Sequence, residues 1–183
     1  MPYPVVALVG YTNAGKSTLF NKLTDAKVFA KDLLFATLDP TMREIKLPSG
    51  RSVILSDTVG FVSDLPTTLI AAFRATLEEV ISADIIVHVR DVAHSDTDAQ
   101  KTDVLRVMSE LGVEFDDTQA FIEILNKTDL LPPDALEAAE NMATRDADIV
   151  AMSAVTGRNT DHFLHRLDVL LRSEEHTSEL QSP

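Results

Sequence analysis

Apolar residues along this chain fall into two rhythms. Short, nearly unbroken runs rich in Val, Ile and Leu occupy residues 5–9, 85–89, 121–125 and 149–152, the pattern of strands buried on both faces. Between them the apolar positions recur every three or four residues. Leu69, Phe73, Leu77 and Val80-Ile81 predict an amphipathic helix over 67–81. Similar spacing predicts helices over 16–23, in a stretch ending near Gly112, from Pro132-Pro133 to about 145, and over 161–171. Residues 43–56 read as a hairpin turning at Pro48-Ser49-Gly50. Alternation of strand and helix predicts an α/β three-layer sandwich, its six-stranded sheet mostly parallel with one antiparallel strand from the hairpin. Residues 25–40 carry little periodicity and read as a long loop, which in a small domain is usually functional.

At 183 residues, with no internal repeat and no linker, this is one domain, assigned to residues 1–171. The absence of cysteine excludes a disulfide framework and any thiolate chemistry, and fits a reducing, cytoplasmic location. No apolar run reaches the length of a membrane span. The first strand starts at residue 5, which leaves no room for a signal peptide. A net charge of −13, from 29 acidic against 16 basic residues, argues against DNA as a directly and sequence-specifically read partner, since phosphate contacts need clustered Lys and Arg. Residues 172–183 break the preceding helical pattern and resemble an in-frame translation of a sequencing-library adapter. They are expected to form a disordered tail outside the domain, the chain being a fragment of a longer one.

The first strand runs into Gly10-Tyr11-Thr12-Asn13-Ala14-Gly15-Lys16-Ser17, followed by Thr18, and a helix pattern begins at Lys16. This is the G-x-x-x-x-G-K-[ST] phosphate-binding loop of P-loop NTPases. The glycines let backbone N–H groups turn inward around phosphates, the helix N-terminus adds its positive end, and Lys16 reaches the β and γ oxygens. The Ser17 hydroxyl is the expected first protein ligand of Mg²⁺. Kinases, ATPases and GTPases share this loop, so it does not name the base.

Asn126-Lys127-Thr128-Asp129 follows the strand over 121–125, at the sheet edge where α/β proteins bind ligands. A carboxylate offers only acceptors. Guanine presents two donors on one edge, N1–H and the 2-amino group, whereas adenine has an acceptor and no amine there. Asp129 therefore selects guanine. Asn126 is expected to bridge the strand ends, and Lys127 to lay its stem over the ring. Ser153, Ala154 and Val155, after the next strand, are placed for a backbone N–H to meet the guanine oxo group.

Asp57-Thr58-Val59-Gly60 follows the strand that ends at residue 56. Asp57 is expected to hold Mg²⁺ through a water and the Gly60 N–H to contact the γ-phosphate. In the long loop Phe35-Ala36-Thr37-Leu38-Asp39, Thr37 is the expected second hydroxyl ligand of Mg²⁺, with Thr41 the alternative. Loops held by a γ-phosphate and released after hydrolysis form a switch.

Together the strings GYTNAGKSTLFNKLT (10–24), DLLFATLDPT (32–41), LSDTVGF (55–61) and LPTTLIAAFRATLEE (65–79) resemble the G domain of the HflX family of translational GTPases, over residues 3 to about 171. The resemblance implies GTP and GDP as ligands and the large ribosomal subunit as partner. Its members carry a further N-terminal domain, which the start of this chain does not include. Many GTPases place a Gln after the Asp-x-x-Gly turn to orient the attacking water; here the residue is Phe61, so intrinsic hydrolysis is expected to be slow. Asn13 stands where similar potassium-dependent GTPases hold a monovalent cation, which implies K⁺ stimulation. Arg43 and Arg74 are the conceivable cis-acting arginines but read as solvated surface residues. His88 and His94, flanking Asp91, lack a third ligand and read as structural. Two other functions compete with a GTPase switch: a GTP/GDP-binding module that barely turns over, and a P-loop kinase or ATPase, against which Asp129 speaks.

Overall fold

A computed structural model of the chain describes residues 3–24, 41–58, 80–113 and 120–181. Six strands, β1 (Val5–Val9), β2 (Thr41–Lys46), β3 (Ser52–Asp57), β4 (Ile85–Asp91), β5 (Ala120–Asn126) and β6 (Ile149–Ala151), form one sheet in the order β2-β3-β1-β4-β5-β6. All neighbours pair in parallel except β2 and β3, the expected hairpin, whose turn is closed by the Gly50 N–H donating to the Leu47 carbonyl. The helices that lie wholly among the described residues are α1 (Lys16–Thr24), α2 (Thr97–Glu110), α3 (Pro133–Arg145) and α4 (Thr160–Gln181), with a 3₁₀ turn at Thr128–Leu130. No described helix is long and apolar enough to cross a membrane.

Strand alternation sorts the core into layers. Val6, Leu8, Ile85, Val87, Val89, Ile122 and Ile124 share one cluster with Leu19 and Phe20 of α1 and with Phe163, Leu167 and Leu171 of α4. Ala7, Val9 and Ile86 face the other way, against Val104, Val107 and Met108 of α2. Ala139 of α3 packs on Leu125 and Ala151. Both faces of the central strands are thus covered, which is why they read as apolar runs rather than as alternating ones.

Two differences from the sequence reading have local causes. Helix α4 runs through residue 181, so residues 172–181 are helical where a disordered tail is expected. Ser-Glu-Glu-His-Thr-Ser-Glu-Leu-Gln contains neither Gly nor Pro, and lengthening an existing helix avoids the cost of nucleation. The helix expected over 67–81 lies outside the described residues except for its final turn, where Val80 is buried against the α2 face.

The α2 face also holds a polar island. Arg90 Nη1 donates to Glu123 Oε2 at 2.6 Å and Lys101 Nζ to Glu123 Oε1 at 2.8 Å, while Arg90 Nη2 reaches Asp98 at 2.9 Å. Burial works to raise the Glu123 carboxyl, but the hydrogen bonds from Lys101 and Arg90 overcome it and hold it below the usual carboxylate range. His88, 2% exposed and against the Phe121 ring, is pushed down to about 4, chiefly by burial. With a folded value near 4 and an unfolded one near 6.5, the unfolded chain binds more protons between those limits. Stability is therefore unaffected by His88 above pH 6.5, falls as pH drops through the interval, and the loss levels off at about 3 kcal/mol. Urea midpoints measured from pH 7 to 4 check this. Wild type should lose about 3 kcal/mol more than His88→Gln over that range, and parallel curves would refute it.

Candidate functional site

The loop between β1 and α1 is shaped by two close approaches. A Cβ on Gly10 would lie 2.4 Å from the Val89 carbonyl oxygen, so the loop leaves β1 hard against β4. Gly15 has φ +90°, and a Cβ there would stand 2.4 Å from Asn126 Nδ2. Between them the Ala14 N–H donates to the Tyr11 carbonyl at 3.0 Å, and the Tyr11 hydroxyl donates to the Asp103 carboxylate of α2. Thr12 is exposed, and Ser17 and Thr18 are half-buried in the first turn of α1.

Lys16, only 5% exposed, opens α1 with its Nζ 2.7 Å from Asp57 Oδ1 at the end of β3. The same ammonium donates to the Thr58 carbonyl, and the Thr58 hydroxyl donates to the Leu8 carbonyl at 2.7 Å. Three sequence-predicted residues, Lys16, Asp57 and Thr58, therefore meet at one sheet edge. Backbone register sets Thr41 opposite Asp57. Thr37 and its neighbours Phe35, Ala36, Leu38 and Asp39 lie outside the described residues, as do Val59, Gly60, Phe61 and Arg74. The Asp57 carboxylate, bonded to Lys16, and the hydroxyl of the next residue, Ser17, are hard oxygen donors, which fits Mg²⁺ completed by phosphate oxygens rather than an all-protein cage. Among the described residues no group of three or more His, Cys, Asp or Glu side chains is placed to hold a metal ion.

The expected base-side residues converge on the same edge. Asn126, buried at the end of β5, donates from Nδ2 to the Ala14 carbonyl at 2.8 Å and accepts the Ala154 N–H at Oδ1 at 3.0 Å. One side chain thus ties the phosphate loop to the segment after β6. Lys127 stands in the left-handed region at φ 70° and sends Nζ back to the Asn13 carbonyl at 2.6 Å. Thr128 is locked by its hydroxyl donating to the Met152 carbonyl at 3.0 Å. That turns Asp129 toward the segment after β6, where its Oδ1 accepts the Ser153 hydroxyl at 2.8 Å. A cavity of about 240 Å³ opens among Gly15, Thr18, Lys127, Asp129, Leu130 and Val155. The Ala154 N–H, one of the donors expected to face a purine, is engaged by Asn126. Val155 stands 69% exposed at the cavity rim.

Arg43 donates to its neighbour's carbonyl, Met42 O, at 2.8 Å, and His94 Nδ1 accepts the Asp96 N–H at 3.0 Å. Asp91 has no role in the sequence reading, yet its Oδ2 lies 3.1 Å from Lys127 Nζ and 3.3 Å from Asn13 Nδ2. The signal available was its place: β4 runs two residues past the expected end and finishes on an acid at the ligand-binding edge.

Comparisons with known proteins show the family and the fold. The family model for "50S ribosome-binding GTPase" matches residues 5–127. A GTPase HflX of Magnetococcus marinus is 47% identical over 167 residues, covering 91% of this chain and 37% of the relative. A GTPase HflX of Caldanaerobacter subterraneus is 56% identical over 128 residues, 70% of this chain and 29% of the relative. The chain thus spans well under half the length of these relatives. Among solved structures, a GTP-binding protein from Sulfolobus solfataricus in complex with GDP superimposes with a TM-score of 0.71 at 26% identity, over 93% of this chain and 53% of that one.

Proposed function

We propose, since the chain belongs to the 50S ribosome-binding GTPase family and to the HflX GTPases, that it binds GTP with Mg²⁺, hydrolyses it slowly, and uses its nucleotide state to gate association with the large ribosomal subunit in the cytoplasm. The observation that carries this reading is Asn126, which joins the phosphate loop to the Asp129 segment and so makes one site from two motifs. Asp129 accepts guanine N1–H and the 2-amino group, the Lys127 stem covers the ring, and a backbone N–H of the 153–155 turn meets the oxo group. Backbone N–H groups from Gly10 to Thr18 cradle the phosphates, with the Lys16 ammonium on the β and γ oxygens. Ser17 and Asp57 hold Mg²⁺, with Thr37 as the second hydroxyl and Thr41 as its alternative. The ion, when bound, neutralises charge on the phosphate oxygens. The Gly60 N–H contacts the γ-phosphate, and Asn13 offers an amide oxygen to K⁺.

Phe61 supports a second reading, a GTP/GDP-binding module with negligible turnover, because its ring can neither donate to nor accept from a water. Single-turnover hydrolysis in K⁺ and in Na⁺ buffer, with and without large ribosomal subunits, separates the two. The GTPase reading expects cleavage on the scale of hours alone, faster in K⁺, and at least about tenfold faster with subunits. Rates unmoved by subunits would leave only the binding module. Equal rates in K⁺ and Na⁺ would remove the potassium role.

A further inference from the structure

We infer that Asp91 is a positioning residue for guanine-nucleotide binding, acting through Lys127 and Asn13; this rests on the nucleotide reading above. The side chain is 9% exposed and fixed from three sides. Its Oδ1 accepts the Ala93 N–H at 3.0 Å, a local turn that sets the rotamer. Its Oδ2 accepts from Lys127 Nζ at 3.1 Å and from Asn13 Nδ2 at 3.3 Å. Lys127 Nζ also donates to the Asn13 carbonyl at 2.6 Å, which closes a triangle of three residues from three different segments.

The triangle holds a strained and otherwise floppy part. A non-glycine residue at φ 70° sits in a sparsely populated backbone region, and such conformations persist only where the surroundings over-determine them. The lysine stem adds four freely rotating bonds between that backbone and its ammonium. Its far end lies along the phosphate loop, with Cε 3.7 Å from where a Gly15 Cβ would stand, on the wall of the 240 Å³ cavity. Asp91 anchors the ammonium by charge and so keeps the stem on that wall before any base arrives, removing an ordering cost from binding. The Asn13 carbonyl alone offers one neutral acceptor and no charge.

The acid has a second effect. A carboxylate only accepts, so the nitrogen of the Asn13 amide must face Asp91 and the amide oxygen must face away. An Asn at position 91 could donate as well as accept, and would no longer dictate that orientation. The negative charge itself is matched by Lys127, so it does not stand bare beside a phosphate site.

The test is a double-mutant cycle on the full chain, with GDP affinity read by a fluorescent GDP analogue. Asp91→Asn keeps the size and the acceptor for the Ala93 N–H, and should weaken GDP binding about tenfold, chiefly through faster dissociation. Placed in a Lys127→Met background, the same change should cost less than about twofold, because the charged partner has gone and only the longer bond from the Asn13 amide at 3.3 Å is left to act through. A merely structural role would give equal losses in both backgrounds and would overturn the inference, as would unchanged affinity in the single variant. Asp91→Ser, which also retains an acceptor for the Ala93 N–H, serves in the same cycle should the Asn variant not fold. Wild-type protein that binds no GDP at all would sink the nucleotide reading and this inference with it. Wild type that binds GDP no better than Asp91→Asn sinks the inference alone.

Discussion

Asp129→Asn should weaken GTP and GDP binding about a thousandfold while raising the affinity for xanthosine triphosphate. The carboxylate stands in the 3₁₀ turn Thr128–Leu130, held from below by Thr128 on the Met152 carbonyl and from the side by the Ser153 hydroxyl at 2.8 Å. Ser153 occupies one of about four acceptor positions on the carboxylate, which leaves room for two donors from a base. Charge-assisted hydrogen bonds contribute about 1.5–3 kcal/mol each, so losing two corresponds to roughly 10²–10⁴ in affinity. The amide also turns a donor toward the guanine 2-amino group, and a buried donor facing a donor is worse than a missing bond. Xanthine carries an oxo group at that position, which accepts from the same amide. The fold should survive, because Asn can still accept from Ser153. Competition of GTP, xanthosine triphosphate and ATP against a fluorescent GDP analogue reads the outcome. Retained guanine preference would mean that another group reads the base.

How much of this was legible beforehand depends on whether a feature is local. The phosphate loop, the hairpin turn and the strand–helix alternation are local, and apolar strands covered on both faces imply the three layers, whereas the strand order is set by the structure. Asn126, Lys127 and Asp129 were found because their spacing is itself a motif. What was hidden depended on partners remote in sequence. Glu123 interrupts an apolar strand run, and nothing nearby in sequence says that Arg90 and Lys101 will neutralise it. Asp91 stands in the sequence merely as the acid between His88 and His94, past the expected end of the strand at 89. Its meaning comes from Asn13, 78 positions away, and Lys127, 36 positions away. Helix α4 illustrates the opposite failure. The polar composition of residues 172–181 argues for disorder, yet a helix already nucleated and packed through Phe163 and Leu167 continues through such a sequence without a breaker.

Gly15→Ala should produce the largest combined loss, because one methyl group damages both halves of the site. The backbone at φ +90° already disfavours any side chain, by about 1–2 kcal/mol. The added Cβ would also sit 2.4 Å from Asn126 Nδ2, and that amide has little freedom to retreat. Asn126 is 2% exposed, bonded at Nδ2 to the Ala14 carbonyl and at Oδ1 to the Ala154 N–H. Displacing it strands a buried carbonyl and a buried N–H, at about 1–3 kcal/mol for each group left unsatisfied. Stability should therefore fall by about 3–8 kcal/mol in urea unfolding, and GDP affinity by at least about a hundredfold. Strain and collision are separable. In an Asn126→Ala background the amide is absent, so Gly15→Ala should cost only the backbone strain of about 1–2 kcal/mol. A coupling of more than about 1 kcal/mol between the two changes marks physical contact of phosphate loop and base segment. If instead the glycine substitution costs the same with and without Asn126, the two motifs fold independently, and the joint site described for them does not exist.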